Sequence, residues 1–308
     1  MTTIKTTYNK EALDYEQIIA LLKERGLTIE DESKAIQTLG FISYFRLAAY
    51  FRPMENNDTN SEGETIHHFK SNATFSKGIA MYEFDTKLRD LIFQAIQKIE
   101  IAIRTKMIHH ISLKYGAFWF LDMNLCKSQK LYLKNMASIE REIERSKDDF
   151  IKEHYRKYNY PEFPPAWKTL ELASFGTLSK LYYNLNDTKL KKKIAREFNL
   201  PQHEILESWM ASITALRNCC AHHSRLWNRI IPLMPQLNVP MRGKWISQIP
   251  QTSNRFYSHF CCIAYLLNVI EPKCSIKNDF KNLLKEYPSI DCEAMGFPSN
   301  WEEEELWE

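Results

Sequence analysis

The sequence predicts an all-α protein. Apolar residues recur at threes and fours over long stretches, and cap or stop residues stand where those stretches end. Glycine is scarce, with 8 in 308 residues against an average usage of about 7%, so tight glycine turns are few. The four sections expected are an N-terminal helical module (1–52), a polar linker (53–74), a helical core (75–270) and a C-terminal extension (271–308).

In the first module, Tyr15, Ile18, Ile19, Leu21 and Leu22 mark one helix, which Gly26 ends. Asp31 is the expected N-cap of a second helix running through Leu39. Phe41 to Phe51 is apolar and aromatic, with Arg46 and Arg52 projecting from it, and Pro53 stops it. The polar stretch Glu55–Thr74 reads as a mobile loop.

Phe75 to Tyr115 carries the longest periodic signal, with Phe84, Leu88, Leu91, Ile92, Ala95, Ile99, Ala102, Ile103 and Met107 recurring at threes and fours and Gly116 as the stop. Asp85 with Arg89, and Glu100 with Arg104, stand four apart and can pair. Either these are salt bridges, the usual role, or Arg104 points into a functional site. Lys127 to Tyr158 reads as one charged helix, broken after by Pro161, Pro164 and Pro165. Short helices are expected over 170–172, 178–185 and 190–198. Lys189, Lys191, Lys192, Lys193 and Arg196 form the densest basic run, which serves as a solvated helix face or holds RNA phosphates. A further helix begins at His203, with Ile205, Leu206, Trp209, Ile213 and Leu216 as its apolar face. An irregular stretch follows Pro232, then a buried helix over 256–270, and a loose acidic tail from Trp301 to Glu308.

Composition narrows the function classes modestly. Net charge is +3 and the pI about 8.3, so charge informs only through where it sits. Seven cysteines in no framework spacing suit reduced thiols in a cytoplasmic protein. Met1–Lys10 has no apolar core of a signal peptide, and no apolar run approaches the roughly 18 residues of a membrane span.

Where charge sits is informative. Between Ser208 and Ile270 there is no Asp or Glu, although 38 acids in 308 residues would place about eight in such a window. A sustained positive local field is expected there. Within it lies Arg217-Asn218-Cys219-Cys220-Ala221-His222-His223-Ser224-Arg225-Leu226-Trp227-Asn228-Arg229. If the helix from His203 continues, Asn218, His222, Arg225 and Arg229 form one polar stripe, with Leu216, Cys219, Cys220, His223 and Leu226 turned to the core. Arg217 and His222, five apart, then lie about 140° from each other. One site can use both only if the helix bends or ends between them, or if a second subunit contributes; a two-fold homodimer would bring two copies together.

Imidazole beside fixed cations suits phosphodiester chemistry. A neutral imidazole can take a proton from a ribose 2′-OH, and the protonated ring can give one to the leaving 5′-oxygen. Guanidinium groups match phosphate oxygens and stabilise added transition-state charge. Asn218 can orient ribose or imidazole. Neither metal nor cofactor is needed for such a reaction. Competing uses stand beside this one. Cys219, Cys220, His222 and His223 could bind zinc, although adjacent ligands on one helix cannot all face one ion. A Cys–His nucleophile pair lacks an orienting acid, and His223 suits a packed, structural role. His67-His68 and His109-His110 read as structural or exposed. A basic site that binds RNA without cutting it would carry the same residues, and a DNA-binding use of 1–52 is disfavoured by its few cations.

The segment Arg217-Asn218-x-x-Ala221-His222 resembles the Arg-x4-6-His motif of HEPN-superfamily ribonucleases, and the longer string through Arg229 resembles the Abi-like (AbiD/AbiF) abortive-infection family. Further blocks carry the likeness: Glu16-Gln17, Leu21-Leu22 and Arg25-Gly26-Leu27, then Tyr44-Phe45-Arg46-Leu47 and Tyr50. Tyr82-x-Phe84-Asp85-x-x-Leu88-Arg89, Ile99-Glu100-x-x-x-Arg104, Phe175-Gly176-Thr177-Leu178-Ser179 and Ser208-Trp209 follow in order. Together they span about residues 10–230; residues 231–308 match no family pattern. The resemblance implies a HEPN-type helical bundle, dimeric, with paired motifs forming a metal-independent endoribonuclease that acts as an antiphage toxin. Arg217 and His222 would be the catalytic pair with Asn218 beside them. Arg225, Arg229, Lys191, Lys192, Lys193 and Arg104 are the expected RNA contacts. An antitoxin partner fits a toxin. Some proteins of that superfamily only bind RNA or nucleotides, so a non-catalytic RNA-binding or protein-interaction module is the alternative.

Overall fold

The computed structural model describes residues 7, 9, 11–56, 58–59, 67–250 and 254–308. Among them are α-helices, short 3-10 turns and isolated β-bridges, but no strand. The fold is all-α, as its periodicity predicts. The chain forms two compact units, 1–86 and 87–308, divided within the longest helix.

In the first unit, α1 (Tyr15–Glu24) starts with a capping box in which Asp14 and Gln17 satisfy each other's backbone N–H. Asp31 caps α2 (Glu32–Phe41) by accepting from Lys34 N at 2.9 Å, and Ser43 caps α3 (Tyr44–Phe51). With the first turns of α4 (Phe75–Tyr115) these helices enclose Leu22, Leu27, Leu39, Leu47, Phe51 and Phe69. Gly78 is required there, because a Cβ would fall 1.9 Å from the Phe51 ring. The expected mobile linker lies in part, at 57 and 60–66, outside the described residues. Its flanks are fastened: Asn56 N donates to His68 O, and Lys70 N to Met54 O, both at 2.8 Å.

The second unit begins with the remainder of α4, whose Leu88, Ile92, Ile99, Ile103, Met107 and Ile111 are buried at helical spacing. The charged stretch 127–158 is two helices rather than one, α5 (Gln129–Arg145) and α6 (Asp149–Lys157). Ser146 Oγ donates to Asp148 Oδ2 at 2.9 Å and accepts from Asp148 N at 3.2 Å. Such local side-chain bonds compete with the helical ladder. The short helix expected over 170–172 lies earlier, at Ala166–Thr169 (α7), because Pro165 opens a helix there instead of ending one. Then come α8 (Phe175–Asn184), α9 (Thr188–Arg196) and α10 (His203–Ala221).

Helix α10 packs against α8, α9 and α11 (Phe256–Ile270), burying Ile205, Leu206, Trp209, Met210, Ile213 and Leu216. Residues 232–250 carry no helix. A last helix, α12 (Ile276–Glu286), is not among the expected elements, although Ile276, Phe280, Leu283 and Leu284 stand at helical spacing. The acidic tail is packed, contrary to the expectation of a loose end. Trp301, Leu306 and Trp307 are buried among Tyr257, Phe260, Phe280 and Phe297. The Glu304 carboxylate accepts from Ser247 N and Gln248 N at 2.6 and 3.0 Å. Buried aromatic area outweighs the tail's charge, because its acids face water or backbone donors.

Candidate functional site

Helix α10 is anchored at its start by a buried ion cluster. Lys191, on α9 and fully buried, pairs with Glu207 and donates to Tyr183 O at 3.2 Å. Lys127 and His203 stand 3.9 and 3.8 Å from the same Glu207 oxygen. Burial outweighs the carboxylate and pushes the Lys191 ammonium down to about 8. Its charge is therefore spent inside the fold, while Lys192 and Lys193 remain exposed. Arg104 is likewise engaged: it is buried, donates to Glu100 Oε1 at 2.8 Å and to Ala173 O at 3.1 Å. For Arg104 the contacts are those of the expected pairing role, whereas Lys191, expected on a solvated face or on RNA phosphates, is buried on Glu207 instead.

At its other end α10 stops at Ala221, so the stripe through Asn218, His222, Arg225 and Arg229 does not form on a helix. His222 is the C-cap, its N–H donating to Asn218 O at 3.0 Å. His223 N then donates to Cys220 O at 3.0 Å and Ser224 N to Cys219 O at 2.8 Å, which closes a Schellman motif. The left-handed position of that motif usually holds glycine; here it is His223, at φ +52°. His223 is exposed rather than turned to the core. The stop was hidden in the sequence because no glycine marks it.

Arg217 sits on the last full turn and His222 in the cap. Arg217 lines a groove that His222 does not, so within one chain the expected pair does not share a concavity. Arg217 lies over the Phe93 ring at 5.7 Å, and its Nε is buried with no hydrogen-bond partner among the described residues. No carboxylate pairs with it among the described residues. Asn218 and His222 are exposed, and Arg225 and Arg229 half-buried. The segment beyond is pinned: Arg225 and Arg229 donate weakly to Asn228 O and Arg225 O, both at 3.4 Å, and Arg255 donates to Asn228 Oδ1 at 2.9 Å. Leu226 and Trp227 are buried beneath.

Arg217 and Asn218 line a groove of about 450 Å³, together with Ser138 of α5, Ser174 and residues of α8, Thr214 and Leu233. No Asp or Glu is among its lining residues. Gly176 lets α8 approach α10, since a Cβ there would come 3.3 Å from Thr214 Cγ2. The groove's α5 and α8 residues were not singled out as site residues from the sequence. Their signal was the block Phe175-Gly176-Thr177-Leu178-Ser179, read only as a likeness. His222 is not among the lining residues. Among the described residues no group of three or more His, Cys, Asp or Glu side chains could hold a metal ion. Cys220 is buried while His222 and His223 are exposed, so the four zinc candidates do not converge.

Residues 37–228, more than half of the chain, match the model of a family described as Abi-like protein. The chain belongs to the Abi-like family. The match begins within α2 and ends at Asn228, so it takes in the helix end, the Lys191–Glu207 anchor and the groove apart from Leu233, and leaves α1, α11, α12 and the packed tail of this Abi-like chain outside it. No curated protein and no solved structure matches the chain. No helix among the described residues is long and apolar enough to cross a membrane.

Proposed function

We propose that this Abi-like chain is a metal-independent endoribonuclease of HEPN type, acting in the cytoplasm as an abortive-infection toxin. One observation carries the reading: Arg217, with no carboxylate partner among the described residues, lines a groove beside Asn218 one turn before a helix end that leaves His222 open to solvent. In this scheme the ribose 2′-oxygen attacks phosphorus, the bond to the 5′-oxygen breaks, and that oxygen takes up a proton. His222 moves the proton at either oxygen. Arg217 stabilises the added negative charge on the phosphorane, and Asn218 orients the ribose. Arg225, Arg229, Lys192 and Lys193 supply the field that draws in RNA. In a two-fold dimer the two copies of His222 would act as base and acid, so a homodimer is part of the proposal. An antitoxin or regulatory RNA would restrain it.

The test is cleavage of a mixed RNA pool by the purified protein in EDTA, with His222→Ala alongside. Ends carrying 2′,3′-cyclic phosphate from wild type, reduced about 100- to 10,000-fold in the variant, support a catalytic imidazole. The absence of His222 from the groove lining favours a second reading, an RNA-binding module. That reading is preferred if neither protein cuts while both retain RNA.

A further inference from the structure

We infer that the groove between α5, α8 and α10 is a ribose–phosphate subsite for single-stranded RNA, with Lys180 and Arg217 holding the phosphodiester and the hydroxyls of Ser138, Ser174 and Thr177 reading the ribose. The inference rests on the RNA reading of the neighbouring site and extends it to residues on two other helices. Lys180 and Arg217 line the groove from α8 and α10. Neither has an ion-pair partner among the described residues, and no acid lines the groove. Two unneutralised cations facing one concavity attract an anion.

The hydroxyls narrow its identity. Thr177 Oγ1 lies 3.2 Å from Ser138 Oγ and 3.1 Å from Ser174 Oγ, so the three form a chain from α5 across the start of α8. Each hydroxyl carries one donor. The two contacts consume two of the three donors, and one O–H remains for a ligand or water. A chain of hydroxyls with spare donor and acceptor capacity complements ribose, whose 2′-OH both gives and accepts. Asn218 adds a carboxamide at the rim. Leu233, half exposed, supplies an apolar wall on which a base can lie, and its carbonyl is held by His259 Nε2 at 2.9 Å. The volume, about 450 Å³, suits a nucleotide unit. The subsite would hold the nucleotide next to the bond that His222 and Arg217 act upon.

The test is the affinity of the His222→Ala protein for a fluorescently labelled RNA oligomer, by anisotropy across a salt series. Lys180→Gln is expected to weaken binding about tenfold and to lower the salt slope by about one. Thr177→Val is expected to narrow the preference for RNA over DNA of the same sequence, and Thr177→Ser to restore it. That rescue separates recognition from a folding defect. Unchanged affinity and slope in Lys180→Gln overturn the subsite, as does competition by AMP at the oligomer's own strength, which would make the occupant a free nucleotide. The two proposals fail separately. RNA binding that depends on Lys180 in a protein that never cuts RNA sinks the nuclease and keeps the subsite. Cutting that is indifferent to Lys180 and Thr177 does the reverse.

Discussion

At the start of α10 a lysine is shut away from water against Glu207, whereas at its far end Arg217 lies on an aromatic ring with no carboxylate to pair it among the described residues. Both cations serve the same helix, and the difference lies in where the acids are. A fully buried ammonium needs a counter-charge, since an unpaired ion in the interior costs far more than a fold can spare. Glu207 supplies it and is the last acid before the acid-free window that opens at Ser208. Arg217, half-buried, keeps contact with solvent and tolerates the lack of a partner. A charge neutralised within the chain holds the fold together; a charge left without an acid remains available to an anionic ligand.

The largest expected effect tests the anchor. Glu207→Gln strands Lys191 in the interior and should lower stability by about 3–5 kcal/mol, read as a shift in the urea midpoint. The double variant Lys191→Met/Glu207→Leu removes both charges and should recover most of that loss. A wild-type midpoint in Glu207→Gln would break the comparison, because the pair would then hold nothing. At the other end, Arg217→Ala should reduce RNA cleavage about 100- to 1000-fold. Its cost in stability should stay near 1 kcal/mol, the scale of the lost contact with Phe93. A large drop in midpoint would place Arg217 with the structural charges.

Titration sharpens the contrast further. The folded-state value for Lys191, about 8, lies below the 10.5 of the free side chain. Below pH 8 both states hold the proton and stability does not vary through this group. Between 8 and 10.5 the unfolded chain holds more protons, so stability gains a rising contribution with pH. The Lys191→Met/Glu207→Leu variant should lack that contribution in urea midpoints taken across the window. A smaller effect is expected on the acid side. His110, His154, His203 and His259 are all held below the usual histidine value, chiefly by burial. At His110, His154 and His203 burial disfavours the charged ring, so stability should fall as pH drops below about 6.5. Replacing His154 by Gln should flatten part of that fall, seen by comparing midpoints at neutral and mildly acidic pH.

Much of the molecule is local information. Apolar spacing from Phe75 to Tyr115 and the stop at Gly116 set α4 at those bounds. Asp31 caps α2 where a short polar side chain is free to accept a backbone N–H. The Arg217–Arg229 segment stands out by composition alone, since cations and imidazoles gather where acids are missing. Periodicity, caps and charge counts depend on neighbours a few residues away, and those can be read along the chain.

Only the tertiary structure decided the rest. Lys191 and Lys192 are adjacent in the same basic run, yet one is buried on Glu207 and the other is in water, because packing of α9 on α10 selects the face. Arg104 is committed to Glu100 and to the carbonyl of Ala173, a residue distant in sequence. The end of α10 rests on a histidine in a left-handed turn, which no local glycine announces. The groove draws Ser138, Thr177, Lys180 and Arg217 from three helices. Such features depend on which distant residues meet and on what their burial costs, and a linear pattern holds neither quantity.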